Sequence, residues 1–276
     1  MPQEDMKRIV IYLLMLLATI AFVLPVVLIF VTAFKPEMEV VHFERLLPKH
    51  WTTAQFAHLF SNPEEAPIFR WLFNSFLVST CITLLVLTVD SLAAYGLSRL
   101  NLPGGKVLFA IIIGTLMVPG QVLFVPVYLI LNRLGWLDTP LALIVPAGAG
   151  AFGVFLLTQF FRTIPKELEE AAQLDGCSRF GVYRHIMLPL SMPALATLGI
   201  LTFTASWNDF LGPLVFLDSS EKLTLPVGVA LFQGSYVSEY ALTLAASVIC
   251  TAPVLLIFFI FSKQIIRGIS TAGLKE

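Results

Sequence analysis

Charge is scarce in this chain of 276 residues: Asp, Glu, Lys and Arg make up 13% of it and hydrophobic residues 57%. That is too little polar surface to cover a soluble protein of this size. The three cysteines exclude a disulfide framework, because Cys81 and Cys250 lie in apolar runs and Cys177 in a polar loop, with no metal-binding spacing. His42, His50, His58 and His185 form no HExxH pair, and no GxSxG elbow occurs. Without a GxxxxGK(S/T) loop the chain does not hold ATP by that route, and Gly104 with Gly105 marks a turn rather than a phosphate cradle. A formal net charge of −1 leaves no cationic excess to displace the counterions of a nucleic acid. No catalytic residue and no metal site is expected.

What the sequence does have is length of apolar chain. Six stretches, Ile9–Ala33, Trp71–Ser98, Val107–Asn132, Thr139–Phe161, Pro193–Leu217 and Tyr240–Ser262, reach the roughly 20 residues that a helix needs to cross a hydrocarbon core about 30 Å thick. They lack the two-residue alternation of a membrane barrel, and lipid-exposed backbone must satisfy its own hydrogen bonds, so each is read as a helix. The expected fold is all-α: one polytopic transmembrane domain over 1–276 with six spans. The first run is longer than a signal-peptide core and no small-x-small site precedes Lys35, so it is expected to be retained.

Placing the N-terminus inside puts eleven cations in the cytoplasm: Lys7, Arg8, Arg99, Lys106, Arg162, Lys166, Arg179, Arg184, Lys263, Arg267 and Lys275. Six, Lys35, Arg45, Lys49, Arg70, Arg133 and Lys222, fall outside. This excess favours two cytoplasmic termini. External loops then lie at 35–70 and 218–239, with a cytoplasmic tail at 263–276. The prolines of 35–70 predict irregular structure with short helical pieces, and the apolar run Leu223–Phe232 is too short to span.

The cytoplasmic loop 162–192 has a pattern of its own. Pro165 suits a first helical turn, and Glu167, Glu169 and Glu170 suit the positive end of a helix dipole. Leu168, Ala171 and Ala172 make an apolar face at helical spacing. Gly176 can stop this helix in the left-handed conformation, and Ser178 can cap a second one whose apolar face is Phe180, Tyr183 and Ile186 or Met187. The product is a helix-turn-helix projecting from the membrane; an amphipathic helix lying on the bilayer surface is the plainer alternative.

EAAQLDG at Glu170–Gly176, followed after nine residues by IMLPLSMP at Ile186–Pro193, resembles the EAA loop of importer permeases in the ABC transporter superfamily. In that family the short helix docks as a coupling helix into a cleft on an ATPase subunit. The resemblance implies that Glu170, Ala171, Ala172, Asp175, Gly176, Ile186, Leu188 and Pro189 form the coupling site. Ala171 and Ala172 would permit close docking, and Glu170 and Asp175 would pair with cations on the partner. DSLAAYGLSRL at Asp90–Leu100, MVPGQVLFVPVYLILNRLGWLDT at Met117–Thr139 and SWNDFLGPLVFL at Ser206–Leu217 resemble the maltose-type carbohydrate branch. So does the ending at Arg267, Gly268, Ala272, Gly273 and Lys275.

That family implies half of a translocation path for a sugar or oligosaccharide, in a bacterial or archaeal inner membrane. Its partners would be a second homologous permease, two ATPase subunits carrying ATP and Mg, and an extracytoplasmic solute-binding protein, with no cofactor on this chain. An importer of glycerol phosphate or polyamine on the same architecture is one alternative. A stand-alone secondary transporter using Asp90 and Asp209 is another.

Polar residues at membrane depth are the candidate path. A carboxylate at mid-bilayer costs about 2.5 to 3.5 kcal/mol, so Asp209 must face protein or water. One reading sets Asn208 and Asp209 on the sugar path with Trp207 offering an aromatic face to a pyranose ring; the other is an interhelical hydrogen bond or a site near the outer interface. Pro119, Gly120, Gln121 and Pro126 interrupt the third stretch, which either exposes Gln121 to a cavity or only kinks the helix. Asp90 is read as structural, neutralised by Arg99 or a neighbouring subunit. In the family resembled, the loop between the last two helices can touch the loaded binding protein, so Thr224–Ser235 is expected to contact it.

Overall fold

The computed structural model describes residues 2–42, 45–64, 66–235 and 239–273, with side chains from 6 to 259 apart from 43, 44, 65 and 235–238. The chain is all-α, as expected. Its helices are α1 (Pro2–Thr32), α2 (Glu37–His42), α3 (Ala54–Ser61), α4 (Ile68–Arg99), α5 (Gly105–Gly114), α6 (Phe124–Leu134), α7 (Leu141–Ile144) and α8 (Ala151–Thr163). Then follow α9 (Glu167–Leu174), α10 (Arg179–Val182), α11 (Leu188–Leu190), α12 (Met192–Trp207), α13 (Leu211–Phe216), α14 (Leu225–Ser235) and α15 (Tyr240–Gly273).

Three of these are long and apolar enough to cross a membrane unbroken: Met6–Thr32, Ile68–Arg99 and Tyr240–Phe259. The third apolar stretch is broken where Pro119 and Gly120 were expected to interrupt it, and the fourth and fifth, expected as continuous spans, are interrupted as well. α5 and α6 belong to a pair bent by 93°, because Pro119 disfavours a helical Val118, which is extended at φ −86° and ψ 117°. The fourth stretch divides into α7 and α8 around Gly148 and Gly150. The fifth breaks at Asn208–Phe210, between α12 and α13.

The chain divides into two compact units. In the first, Met1–Phe69 with Gly228–Pro253, the side chains of α1 are exposed from Met6 to Val27 and, from Ile9 on, apolar on every side, the signature of a helix that faces lipid or another chain. Among its described residues, the expected irregular loop after it holds the two short helices α2 and α3. Glu37 closes it onto α15, accepting the N–H groups of Tyr240 and Ala241 at 2.8 and 2.7 Å. A carboxylate there satisfies orphan donors and meets the positive end of the helix dipole.

The second unit is Arg70–Val227 with Val254–Glu276. Val78, Ile82, Val86 and Ala94 of α4, Leu157 and Phe161 of α8 and Leu198 of α12 are buried at its core. At one end Trp71 Nε1 donates to the Ser220 carbonyl at 2.7 Å, the Asn74 amide to those of Glu221 and Leu223, and Leu225 N–H to Ser75 Oγ at 2.7 Å. Asp138 completes this clamp from the α6–α7 turn, accepting from Asp218 N, Ser219 N, Ser219 Oγ and Lys222 Nζ at 2.6 to 3.0 Å. The apolar run that follows forms α14, too short to span as expected. Thr224, Leu225, Val227, Val229 and Phe232 are buried and Leu231 is exposed. Within Thr224–Ser235, where contact with a binding protein was expected, those five side chains are turned inward; the Ser235 side chain lies outside the described residues. α15 continues into the tail to Gly273, and Lys275 also lies outside them.

The Lys222 ammonium and the Ser219 hydroxyl and amide hold the Asp138 carboxyl well below the usual carboxylate range. A folded value below the unfolded one, about 3.9, means that the clamp contributes fully above that pH and is lost only as pH falls below it. Asp138→Ala is expected to speed hydrogen exchange of the 217–223 amides at pH 7. Wild type should show such a rise only below about pH 4; equal exchange in the two proteins at pH 7 contradicts the clamp.

Candidate functional site

The 162–192 loop folds by local rules. Ile164 is extended (φ −75°, ψ 129°) ahead of Pro165, which ends α8. Pro165 precedes the N-cap Lys166 and so lies outside the first turn of α9 in which it was expected. At the other end Gly176 takes φ +89°. Its N–H reaches the Gln173 carbonyl at 3.1 Å and Cys177 N–H the Ala172 carbonyl at 2.9 Å, the paired bonds of a Schellman cap. Ser178 Oγ accepts from Gly181 N at 3.1 Å and caps α10. These two stops stand where the sequence places them. The second helix is not continuous: α10 widens into a π turn at Tyr183–Met187 before α11, just ahead of Pro189, which has no N–H to give back to the preceding turn.

The buried face of α9 differs from the expected one. Glu169 and Ala172 point inward, while Leu168 and Ala171 are exposed. The reason lies about 70 residues earlier, at the end of α4. Arg99 Nε stands 2.9 Å from Glu169 Oε1, a charge contact not aligned as a hydrogen bond, with the two side chains 4% and 9% exposed. Its Nη2 donates to the carbonyls of Ile164, at 2.6 Å, and Phe161, two of the carbonyls that the end of α8 leaves short of regular helical partners; Phe161 O also accepts Ile164 N–H at 3.1 Å. One planar guanidinium thus serves a helix end and a carboxylate together. Arg99 is therefore not the neutralising partner of Asp90, as the sequence had suggested. One and two turns back along α4, Tyr95 Oη donates to the Arg179 carbonyl at 2.9 Å and Ser91 Oγ shares a hydrogen bond of 2.7 Å with Tyr183 Oη. Positions 91, 95 and 99 lie on one helical face, and they hold the loop at three levels.

The outward side of the loop is partly apolar. Leu174 is 89% and Phe180 62% exposed, beside exposed Glu170, Ala171, Asp175 and Gly176. Pro189 is exposed, Ile186 and Leu188 half-buried. Ala172, expected on the docking surface, is packed inside the chain, so close approach there falls to Ala171. Leu174 and Phe180 were not singled out for docking; an apolar residue off the inward stripe was the available signal.

At membrane depth, Asp90 is fully buried and accepts Gly150 N at 3.0 and 3.3 Å. α8 starts within an apolar stretch, where no water can cap its amides, and the carboxylate takes that place. A Cβ at Gly153 would overlap the same carboxylate, which explains the glycine. Asp209 Oδ1 accepts Gly212 N of α13 at 3.3 Å. Both acids line one cavity of about 330 Å³ with Thr202, Ser206 and Thr224. Asp209 also borders a second, of about 340 Å³, with Gly120. Gln121 is exposed at the adjoining break. The Asn208 amide donates to Thr204 O of its own helix at 2.9 Å. Trp207 is only 2% exposed and stacks on Phe203 with centroids 5.8 Å apart, which agrees with the structural of the two readings for this ring rather than the one that offers it to a pyranose.

Residues 91–271 match the family model described as binding-protein-dependent transport system inner membrane component. The chain is 34% identical over 263 residues to the arabinooligosaccharides transport system permease protein AraQ of Halalkalibacterium halodurans, with 94% of each chain covered. It is 32% identical over 279 residues to the trehalose/maltose transport system permease protein MalG of Thermococcus litoralis, covering 100% of this chain and 99% of that one. In fold it is similar to a chain of a bacterial ABC transporter involved in the import of the acidic polysaccharide alginate, at a TM-score of 0.84 and 21% identity over 95% and 98% of the two chains. A chain of an alginate transporter in complex with a pentasaccharide-bound periplasmic protein matches at a TM-score of 0.65 and 18% identity, over 93% and 94%.

Arg99→Ala leaves Glu169 buried without its cation and is expected to cost about 3 to 5 kcal/mol, whereas Arg99→Met with Glu169→Leu recovers most of that loss. Thermal unfolding of the detergent-purified chain measures both. A double variant no more stable than the single one contradicts the assignment of the loss to an unpaired charge.

Proposed function

This chain belongs to the family of binding-protein-dependent transport system inner membrane components, and we propose that it is the permease subunit of a carbohydrate importer, forming half of a translocation path for a sugar or oligosaccharide. Relatives named for arabinooligosaccharides, for trehalose and maltose and for diacetylchitobiose support the substrate class. A second homologous permease supplies the other half of the path. Energy comes from ATP and Mg on two separate ATPase subunits, since this chain has no nucleotide-binding loop, and solute arrives on an extracytoplasmic binding protein. Both termini and the 162–192 loop are cytoplasmic; 35–70 and 218–239 face outward.

The observation that carries this reading is the outward side of α9 and α10. Leu174 and Phe180, among the exposed apolar residues of the loop, stand beside Glu170, Asp175 and the tight turn at Gly176. An apolar anchor ringed by charge is the anatomy of a protein interface, and its projection from the membrane suits an ATPase cleft. Ala171 permits the approach, and the half-buried Ile186 and Leu188 and exposed Pro189 continue the loop toward α12. ATP binding would move this loop, and the membrane helices would switch between inward- and outward-facing states as rigid elements. On the solute side, Asp209, Asn208 and Gln121 stay on the path.

The test is affinity purification from native membranes of wild type beside Leu174→Arg. An ATPase subunit is expected to accompany wild type and to be retained roughly thirtyfold less by an equally inserted variant, as the loss of an anchor worth about 2 kcal/mol gives. A wild-type chain that brings no ATPase contradicts the importer reading.

A further inference from the structure

The hydrogen bonds of α4 tie together three things that are separate in sequence. Asp90 holds Gly150 N, where α8 begins, and Arg99 holds the Phe161 and Ile164 carbonyls, where α8 ends. Nine residues of helix, about 13 Å of rise, separate the two grips. Between and beside them, Ser91, Tyr95 and Arg99 bond Tyr183, Arg179 and Glu169 of the 162–192 loop. Tyr95 and Tyr183 add a ring contact with centroids 5.3 Å apart. Asp90, adjacent to Ser91 in the chain, also lines the 330 Å³ cavity.

We propose that Ser91, Tyr95 and the Arg99–Glu169 pair are positioning residues that make the loop, α4 and α8 a single lever, so that a displacement of the loop is delivered to the cavity at Asp90. This rests on the importer reading above. Displacement passes through a joint only if the joint is stiffer than what it moves, and bonds shielded from water are the stiff ones. Ser91 and Tyr183 are buried, and the Arg99 and Glu169 side chains nearly so. Of the exposed apolar residues of the loop, Leu174 takes no part in these bonds, and Phe180 touches the joint only through a ring contact with Tyr183, centroids 5.8 Å apart. Docking and transmission therefore occupy different sides of one small element, and a chain that has lost the inner bonds still presents its outer surface to an ATPase. It binds and hydrolyses ATP without moving the cavity.

The experiment uses the full complex in proteoliposomes, with Cys81, Cys177 and Cys250 replaced by serine and Ser206→Cys reporting from the cavity. Its rate of modification by a small methanethiosulfonate reagent is measured with and without ATP–vanadate, together with ATP hydrolysis. In the parent the two rates are expected to differ at least about fivefold, the lower range of couplings between sites. In Ser91→Ala/Tyr95→Phe, and independently in Glu169→Gln, the ratio falls toward one while hydrolysis persists. A merely structural role lowers the amount of complex, and with it both rates, but leaves their ratio unchanged.

Variants that hydrolyse ATP and keep the parent ratio overturn the lever and leave the importer reading standing. A parent complex with no ATP hydrolysis at all overturns the importer reading, and the lever with it. Should the double variant fail to assemble, Glu169→Gln, which preserves shape and removes only charge, decides between these outcomes.

Discussion

Inside a bilayer no water completes a broken helix, so each interruption in this chain needs a partner supplied by the chain itself. The same solution recurs along the fold. Asp90 caps the start of α8, Asp209 bonds an amide at the start of α13, and Arg99 takes the last carbonyls of α8. In the other unit Glu37 caps the start of α15. Three of these four residues are acids at helix N-termini, where the dipole favours negative charge, and the one cation sits at a C-terminus, where it favours positive. Charged residues that look costly at membrane depth are what allow spans to break, and broken spans leave room for the cavities.

The 162–192 loop follows from the same constraint turned inside out. In an ordinary surface helix the carboxylates point to water and the leucines inward. Here Glu169 points inward to Arg99 while Leu174 and Phe180 point outward. Burying the ion pair is tolerable because the guanidinium is also satisfied by two carbonyls, and an exposed leucine suits an element that, in the function proposed above, another chain completes. The inversion separates the face that fastens the loop to α4 from the face offered to a partner.

Much of this was legible in the sequence where the determinant is local. The helical character of the six apolar stretches, the turn at Gly104, the left-handed stop at Gly176 and the Ser178 cap each depend on a few neighbouring residues, and each stands in the structure. The break in the third stretch was legible at Pro119 and Gly120, but those in the fourth and fifth were not, because apolar length does not register that a glycine pair or a short polar segment has interrupted the backbone. Nor was the inward face of α9, since Leu168 and Glu169 are distinguished only by an arginine about 70 residues away. Trp207 left two readings open for a similar reason: an aromatic residue beside two polar ones suits a sugar platform or a packed helix equally until Phe203, one turn back, is seen stacked on it.

The account stands on the loop and α4 moving as one body, which a distance measurement reads directly. Spin labels at Cys177, in the turn of the loop, and at Leu92→Cys on α4, with Cys81 and Cys250 replaced by serine, give that distance by pulsed electron resonance in the assembled complex. The same distance distribution with ADP, with ATP and with ATP–vanadate is the predicted result. A distribution that shifts or broadens as ATP binds would show the loop sliding against α4 and would contradict it.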